Sequence, residues 1–91
     1  MLRASDIIHK GLRDVYATLT TTYPTPPVAD HRRCFRMLNA LNAAMNVYDT
    51  ALVGYGLAPI PGGTGAYSFT LTSGQIIFNW NGGYAQNVDW K

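Results

Sequence analysis

The chain has 91 residues, 47% of them hydrophobic, enough for one compact core spanning 1–91 and too few for a second domain. Its formal charge is only +2, yet Arg3, Lys10, Arg13, Arg32, Arg33 and Arg36 all lie in the first half, and the next cation is Lys91. The C-terminal half therefore lacks the cations with which a nucleic-acid-binding surface neutralises phosphates, and the apolar stretch 37–45, broken by Asn39 and Asn42, falls far short of the roughly 20 residues of a membrane span.

Arg3, Asp6, His9 and Lys10 have no apolar run behind them, so the start does not read as a secretory signal, and the expected compartment is the cytoplasm. Ser5 or Asp6 can cap an early turn, and Leu12, Val15, Tyr16 and Leu19 then recur at helical spacing, which predicts a first helix at about 11–19. The threonines and prolines of 20–27 cannot continue it, because proline lacks the amide donor and threonine prefers extended backbone. A second helix is expected at about 28–45, with Val28, Phe35, Leu38, Leu41, Asn42 and Met45 on one face and Asp30, Arg32, Arg33 and Arg36 on the other.

Beyond Asn46 the period changes from that of a helix to that of a strand. Tyr67, Phe69 and Leu71 alternate with polar residues, Ser73-Gly74 signals a turn, and Ile76, Phe78 and Trp80 alternate again. Pairing Thr72 with Gln75 sets Leu71 opposite Ile76, Phe69 opposite Phe78 and Tyr67 opposite Trp80, with every large apolar residue but Ile77 on one face. Asn81-Gly82-Gly83 signals a second turn, and a three-residue loop there sets Trp80 opposite Tyr84, Phe78 opposite Gln86 and Ile76 opposite Val88 in a strand at about 84–90. Leu57 to Ile60 is expected to pair at an edge. The fold class is α+β: two N-terminal helices packed on one face of a C-terminal antiparallel β-meander.

Four segments give the chain a family resemblance. They are His9-Lys10-Gly11-Leu12, Ala29-Asp30-His31-Arg32-Arg33, Leu38-Asn39-Ala40-Leu41-Asn42-Ala43-Ala44, and Gly56-Leu57-Ala58-Pro59-Ile60-Pro61-Gly62. Together they resemble the HigB branch of the RelE toxin superfamily in order and spacing over nearly the whole chain. The resemblance implies a ribosome-dependent mRNA endoribonuclease held in check by an antitoxin. It also implies a histidine and a lysine before the sheet, an arginine in the central strands and an aspartate-tyrosine-histidine tail. Here Ala58 takes the histidine position and Pro61 the lysine position. Gly74-Gln75 runs directly into Ile76-Ile77-Phe78 without the family's tryptophan-arginine pair, and the sequence ends at Asp89-Trp90-Lys91. Losing one transition-state donor typically costs about a hundred- to a thousandfold in rate, so no catalytic residue is assigned.

His9 and His31 are the only imidazoles and have no carboxylate at metal-ligand spacing, so neither a metal nor another cofactor is expected. Cys34, the single cysteine, reads as a buried thiol. Asp89 reads as a solvent-facing strand residue, and Gly62-Gly63-Thr64-Gly65 as a loop, since no Lys-Ser/Thr ending and no helix follow it. The aromatic set Tyr67, Phe69, Phe78, Trp80 and Tyr84 is expected in the core rather than stacking bases. Arg32, Arg33 and Arg36 form either a solvated helix face or a contact surface for RNA or an acidic protein, and Tyr48, Tyr55 and Trp90 are second-rank interface anchors.

The preferred expectation is a catalytically degenerate, HigB-like macromolecule-binding protein. Such a protein suits a phage or mobile element as an inhibitor of a host ribonucleoprotein or defence complex, in the manner of an anti-CRISPR. The alternative is an active HigB-type toxin whose partners are the ribosome and an antitoxin.

Overall fold

A computed structural model describes residues 1–21 and 26–91. Part of the proline- and threonine-rich linker, Thr22 to Thr25, thus lies outside the described residues. Helix α1 spans Lys10–Thr18, α2 spans His31–Ala43 and α3 spans Thr50–Gly54. They are followed by β1 (Ala58–Pro59), β2 (Ala66–Leu71), β3 (Gly74–Asn81) and β4 (Tyr84–Trp90). The strands form one antiparallel sheet in the order β1-β2-β3-β4, and the layout is the expected α+β arrangement of helices followed by a meander. No helix among the described residues is long and apolar enough to cross a membrane.

Helices α1 and α3 start where a side chain takes up a free backbone amide, whereas α2 has no such cap and follows directly on the 3-10 turn Val28–Asp30. His9 accepts from the Leu12 amide through Nδ1 at 3.2 Å, and Asp49 accepts from the Ala51 amide at 2.9 Å. Asp6 accepts from the Arg3 amide at 2.9 Å across the short 3-10 turn Ala4–Asp6. The buried side of α2 is His31, Cys34, Met37, Leu38 and Leu41. The ends of the expected stripe are not buried: Val28 is 81% exposed and Met45 84%. Val28 belongs to a separate 3-10 turn, Val28–Asp30, and at Ala44 the backbone turns extended (ψ 140°), so Met45 lies past the end of the helix. Asn42 is exposed, but its Oδ1 accepts from the Leu2 amide at 2.8 Å and fastens the N-terminal segment to α2.

That segment is part of the fold. Leu2 and Ile7 are buried, Ile7 forms a parallel bridge with Val88, and the Ile8 amide donates to the Val88 carbonyl at 2.7 Å. The core gathers Leu12 and Val15 from α1, the buried side of α2, Leu52 from α3, and Phe69, Leu71, Ile76, Phe78, Ala85 and Val88 from the sheet. Phe69 and Phe78 lie 5.8 Å apart by ring centroid, with Tyr67 stacked on Phe78 and Tyr55 edge-on to Phe69.

Both expected strand registers need correction. Across β2 and β3, Leu71 pairs with Gly74, Phe69 with Ile76 and Tyr67 with Phe78, a shift of two residues from the expected pairing. The loop is therefore Thr72-Ser73, and Gly74 is a strand residue with no positive φ. A shift of two leaves every side chain on its expected face, so alternation alone cannot detect it. The physical demand is at Gly74: a Cβ there would lie 2.6 Å from Cζ2 of Trp90 and 2.8 Å from the Lys91 carbonyl oxygen. Glycine lets the indole lie against the β3 backbone.

Across β3 and β4 the loop is Gly82-Gly83, both at positive φ, with Asn81 pairing Tyr84, Trp80 pairing Ala85 and Asn79 pairing Gln86. Between Ile77 and Asn79 the register shifts by one residue, and Asn87 takes a left-handed conformation (φ 53°). This is a β-bulge, with Asn87 and Val88 together opposite Phe78. The bulge reverses the parity of β4: Ala85 and Val88 are both buried although three residues apart. Tyr84 and Gln86 leave the core face, where alternation had placed them, because the loop has two residues and not three, and the bulge then returns Val88 to that face; Tyr84 Oη accepts from Gln86 Nε2 at 2.7 Å.

Candidate functional site

The helices cover one face of the sheet and leave the other open, so two surfaces are candidates. They are the outward side of α2 and the outer face of the sheet.

Arg32, Arg33 and Arg36 are all exposed on α2, and no ion pair involves any of them among the described residues. Their placement runs against local helix energetics. Arg32 and Arg33 occupy the first turn, where the positive end of the helix dipole disfavours cations by about 0.3–1 kcal/mol each. Arg36 is i+4 and i+3 from the other two, and like charges at those spacings repel by a few tenths of a kcal/mol. Asp30 is the nearest carboxylate in sequence, but it accepts a hydrogen bond from Ser73 Oγ, which ties the β2–β3 loop to the start of α2. The result is a concentrated positive patch with no ion-pair partner among the described residues.

The other expected anchors divide. Tyr48 is 83% exposed, in the loop between α2 and α3, where its amide donates to Asn46 Oδ1 at 2.8 Å. Tyr55 is half-buried against Phe69, and Trp90 is half-buried over Gly74 and packed against the core. Both rings are committed to packing, so of the three aromatics Tyr48 alone presents a free face.

On the open side of the sheet, Ser68, Ile77 and Asp89 share one row and Ala66, Asn79 and Gln86 the next. A concavity of about 270 Å³ lies here, lined by Ile8, Ile60, Ile77, Asn79, Asn87 and Asp89 among others. Asp89 is its one titratable group, and no lysine, arginine or histidine lines it. Asp89 Oδ1 accepts from the Trp90 amide at 2.9 Å. Asn87 and Asp89 stand on this face, as the expected alternation of β4 also has them, although here it is the bulge at Asn87 that returns Asp89 to it.

Both imidazoles serve local structure. His9 caps α1. His31 is buried with Nε2 2.9 Å from the Pro26 carbonyl oxygen, so that nitrogen carries the proton and donates. Cys34 is fully buried, and desolvation pushes its thiol up to about 12, with Asp30 adding to the rise and Arg33 opposing it. Burial also raises the Tyr16 phenol, with a contribution from Asp6, while Tyr16 Oη donates to the Leu2 carbonyl at 2.8 Å. No cluster of three or more metal-ligating side chains occurs among the described residues. No protein-family model matches the chain, and no curated protein sequence matches it.

Proposed function

We propose that the protein acts by binding an acidic macromolecular partner through the arginine face of α2, and not by catalysis. The observation that carries this reading is the cluster of Arg32, Arg33 and Arg36, which makes no ion pair among the described residues and begins at the end of α2 where the helix's own electrostatics disfavour it. Exposed Val28, just before the helix, and Tyr48, beyond it, supply apolar and aromatic surface of the kind that accompanies arginine at protein interfaces.

The chemistry of the open sheet face supports the same reading. General acid-base cleavage of RNA requires groups that move protons and a cation that stabilises phosphate charge. The concavity offers one carboxylate and neutral side chains. Under the HigB resemblance, exposed Ala58 in β1 and exposed Pro61 just after it stand where the family keeps its histidine and lysine. The chain is then a toxin-like fold kept for its shape, suited to inhibit a host ribonucleoprotein or defence complex on behalf of a phage or mobile element.

The test compares the wild-type protein with an Arg32→Glu, Arg33→Glu, Arg36→Glu variant in co-purification from cells, with and without nuclease treatment. Partners that survive nuclease, are eluted by salt and are lost in the variant support the proposal. Partners retained in full by a folded triple variant refute the contact surface. Partners released by nuclease alone assign the surface to RNA.

A further inference from the structure

We propose that the concavity on the open face of the sheet receives the side chain of a lysine from a protein partner. The site faces away from the helix layer and is independent of the α2 arginines.

The lining of the concavity is part apolar and part polar. Ile8, Ile60 and Ile77 come from three separate segments and supply apolar surface, with Ile8 57% exposed. Asn79, Asn87 and Asp89 supply oxygen acceptors from β3 and β4. The Asn79 and Asn87 side chains make no hydrogen bond among the described residues, and Asp89 uses one oxygen on its neighbour's amide. The nearest cation in sequence, Lys91, is exposed and makes no ion pair with Asp89.

A lysine side chain matches this set part by part. Its four-carbon stem is apolar and lies readily along aliphatic surface, while its ammonium carries three donors and no acceptor. One carboxylate and two amide oxygens can accept all three. An arginine fits less well, because its planar fork favours a carboxylate with both oxygens free. The volume, about 270 Å³, lies just under the range of drug-sized pockets and suits a single side chain. The charge complementarity is local: among the described residues that line the concavity, Asp89 is the one with an acidic or basic side chain.

The probe is Nα-acetyl-lysine N-methylamide, titrated into the isotope-labelled full chain and followed by amide NMR shifts. The corresponding norleucine derivative, which keeps the four-carbon stem and lacks the ammonium, serves as control. Shifts are expected at Ile77, Asn79, Asn87 and Asp89, with binding of the lysine probe about tenfold tighter than that of the norleucine probe. Asp89→Asn should reduce the lysine probe to the affinity of the norleucine one. Equal binding of the two probes by the wild-type chain, or no shift at these four residues, overturns the proposal without reliance on any variant. Spermidine binding at the same residues about tenfold more tightly than the lysine probe also overturns it, by assigning the site to a free polyamine.

Discussion

The contact between Gly74 and Trp90 makes a sharp demand on the sequence. In Gly74→Ala the added methyl would sit 2.6 Å from Cζ2 and 2.9 Å from Cε2 of the indole, about 1 Å inside normal carbon contact. The backbone of β3 is held on both sides by pairing, so the half-buried Trp90 ring is the part able to move. A tryptophan buries on the order of 200 Å², and exposing about half of that costs about 2.5 kcal/mol. The loss of backbone freedom in the unfolded chain returns about 0.4–1 kcal/mol, which leaves a net destabilisation of about 2 kcal/mol. For a domain of this size that corresponds to a fall of about 10 °C in Tm. The assay is thermal and urea unfolding in a Trp80→Phe background, which makes Trp90 the single emitter. Gly74→Ala should lower stability by this amount and shift native emission to the red. A Trp90→Ala, Gly74→Ala pair should recover at least half of the glycine cost, the rest coming from the Lys91 carbonyl. A cost below about 0.5 kcal/mol with unchanged emission would refute the packing argument.

Because the Cys34 pKa is raised to about 12 by burial, the native state holds its proton where the unfolded state ionises. Stability should fall as pH rises above about 8.5, by up to ~1.4 kcal/mol per pH unit, and a Cys34→Ala variant should lose that slope in urea titrations above neutrality. Native Cys34 should also resist alkylation until the chain unfolds. At the bulge, Asn87→Ala should cost about 1 kcal/mol, since alanine disfavours the left-handed conformation, whereas Asn87→Gly should stay within about 0.5 kcal/mol of the wild type by urea unfolding.

Much of the architecture is readable from periodicity, and the discrepancies have identifiable causes. The helical spacing of Leu12 and Val15 and the alternation from Tyr67 to Trp80 report the core face directly, because burial follows local geometry. The register between β2 and β3 is not local: it depends on Trp90 meeting Gly74 across the sheet, and a two-residue slip leaves the alternating pattern unchanged. The bulge in β4 depends on one asparagine in a left-handed conformation, and Asn-Val carries no strong signal for it. Helix α3 did have a local signal, the Asp49 cap ahead of Thr50-Ala51-Leu52, but five residues are too few for periodicity to register. Leu2 and Ile7 are buried by long-range pairing with α2 and β4, which isolated apolar residues near an end do not announce.

The candidate surfaces divide in the same way. The arginine cluster was visible as a charge pattern on a helix. The concavity was not: Asp89 reads from the sequence as solvent-facing, but the lining draws on residues from five segments that only the fold brings together.

The central claim is that this fold binds and does not cut. Its most direct test is a reconstituted bacterial translation reaction to which the purified wild-type chain is added, with the messages mapped by primer extension. The proposed function predicts intact transcripts at all codons, at protein concentrations equal to those of the ribosomes. Cleavage within ribosome-bound messages that depends on the added protein would contradict it.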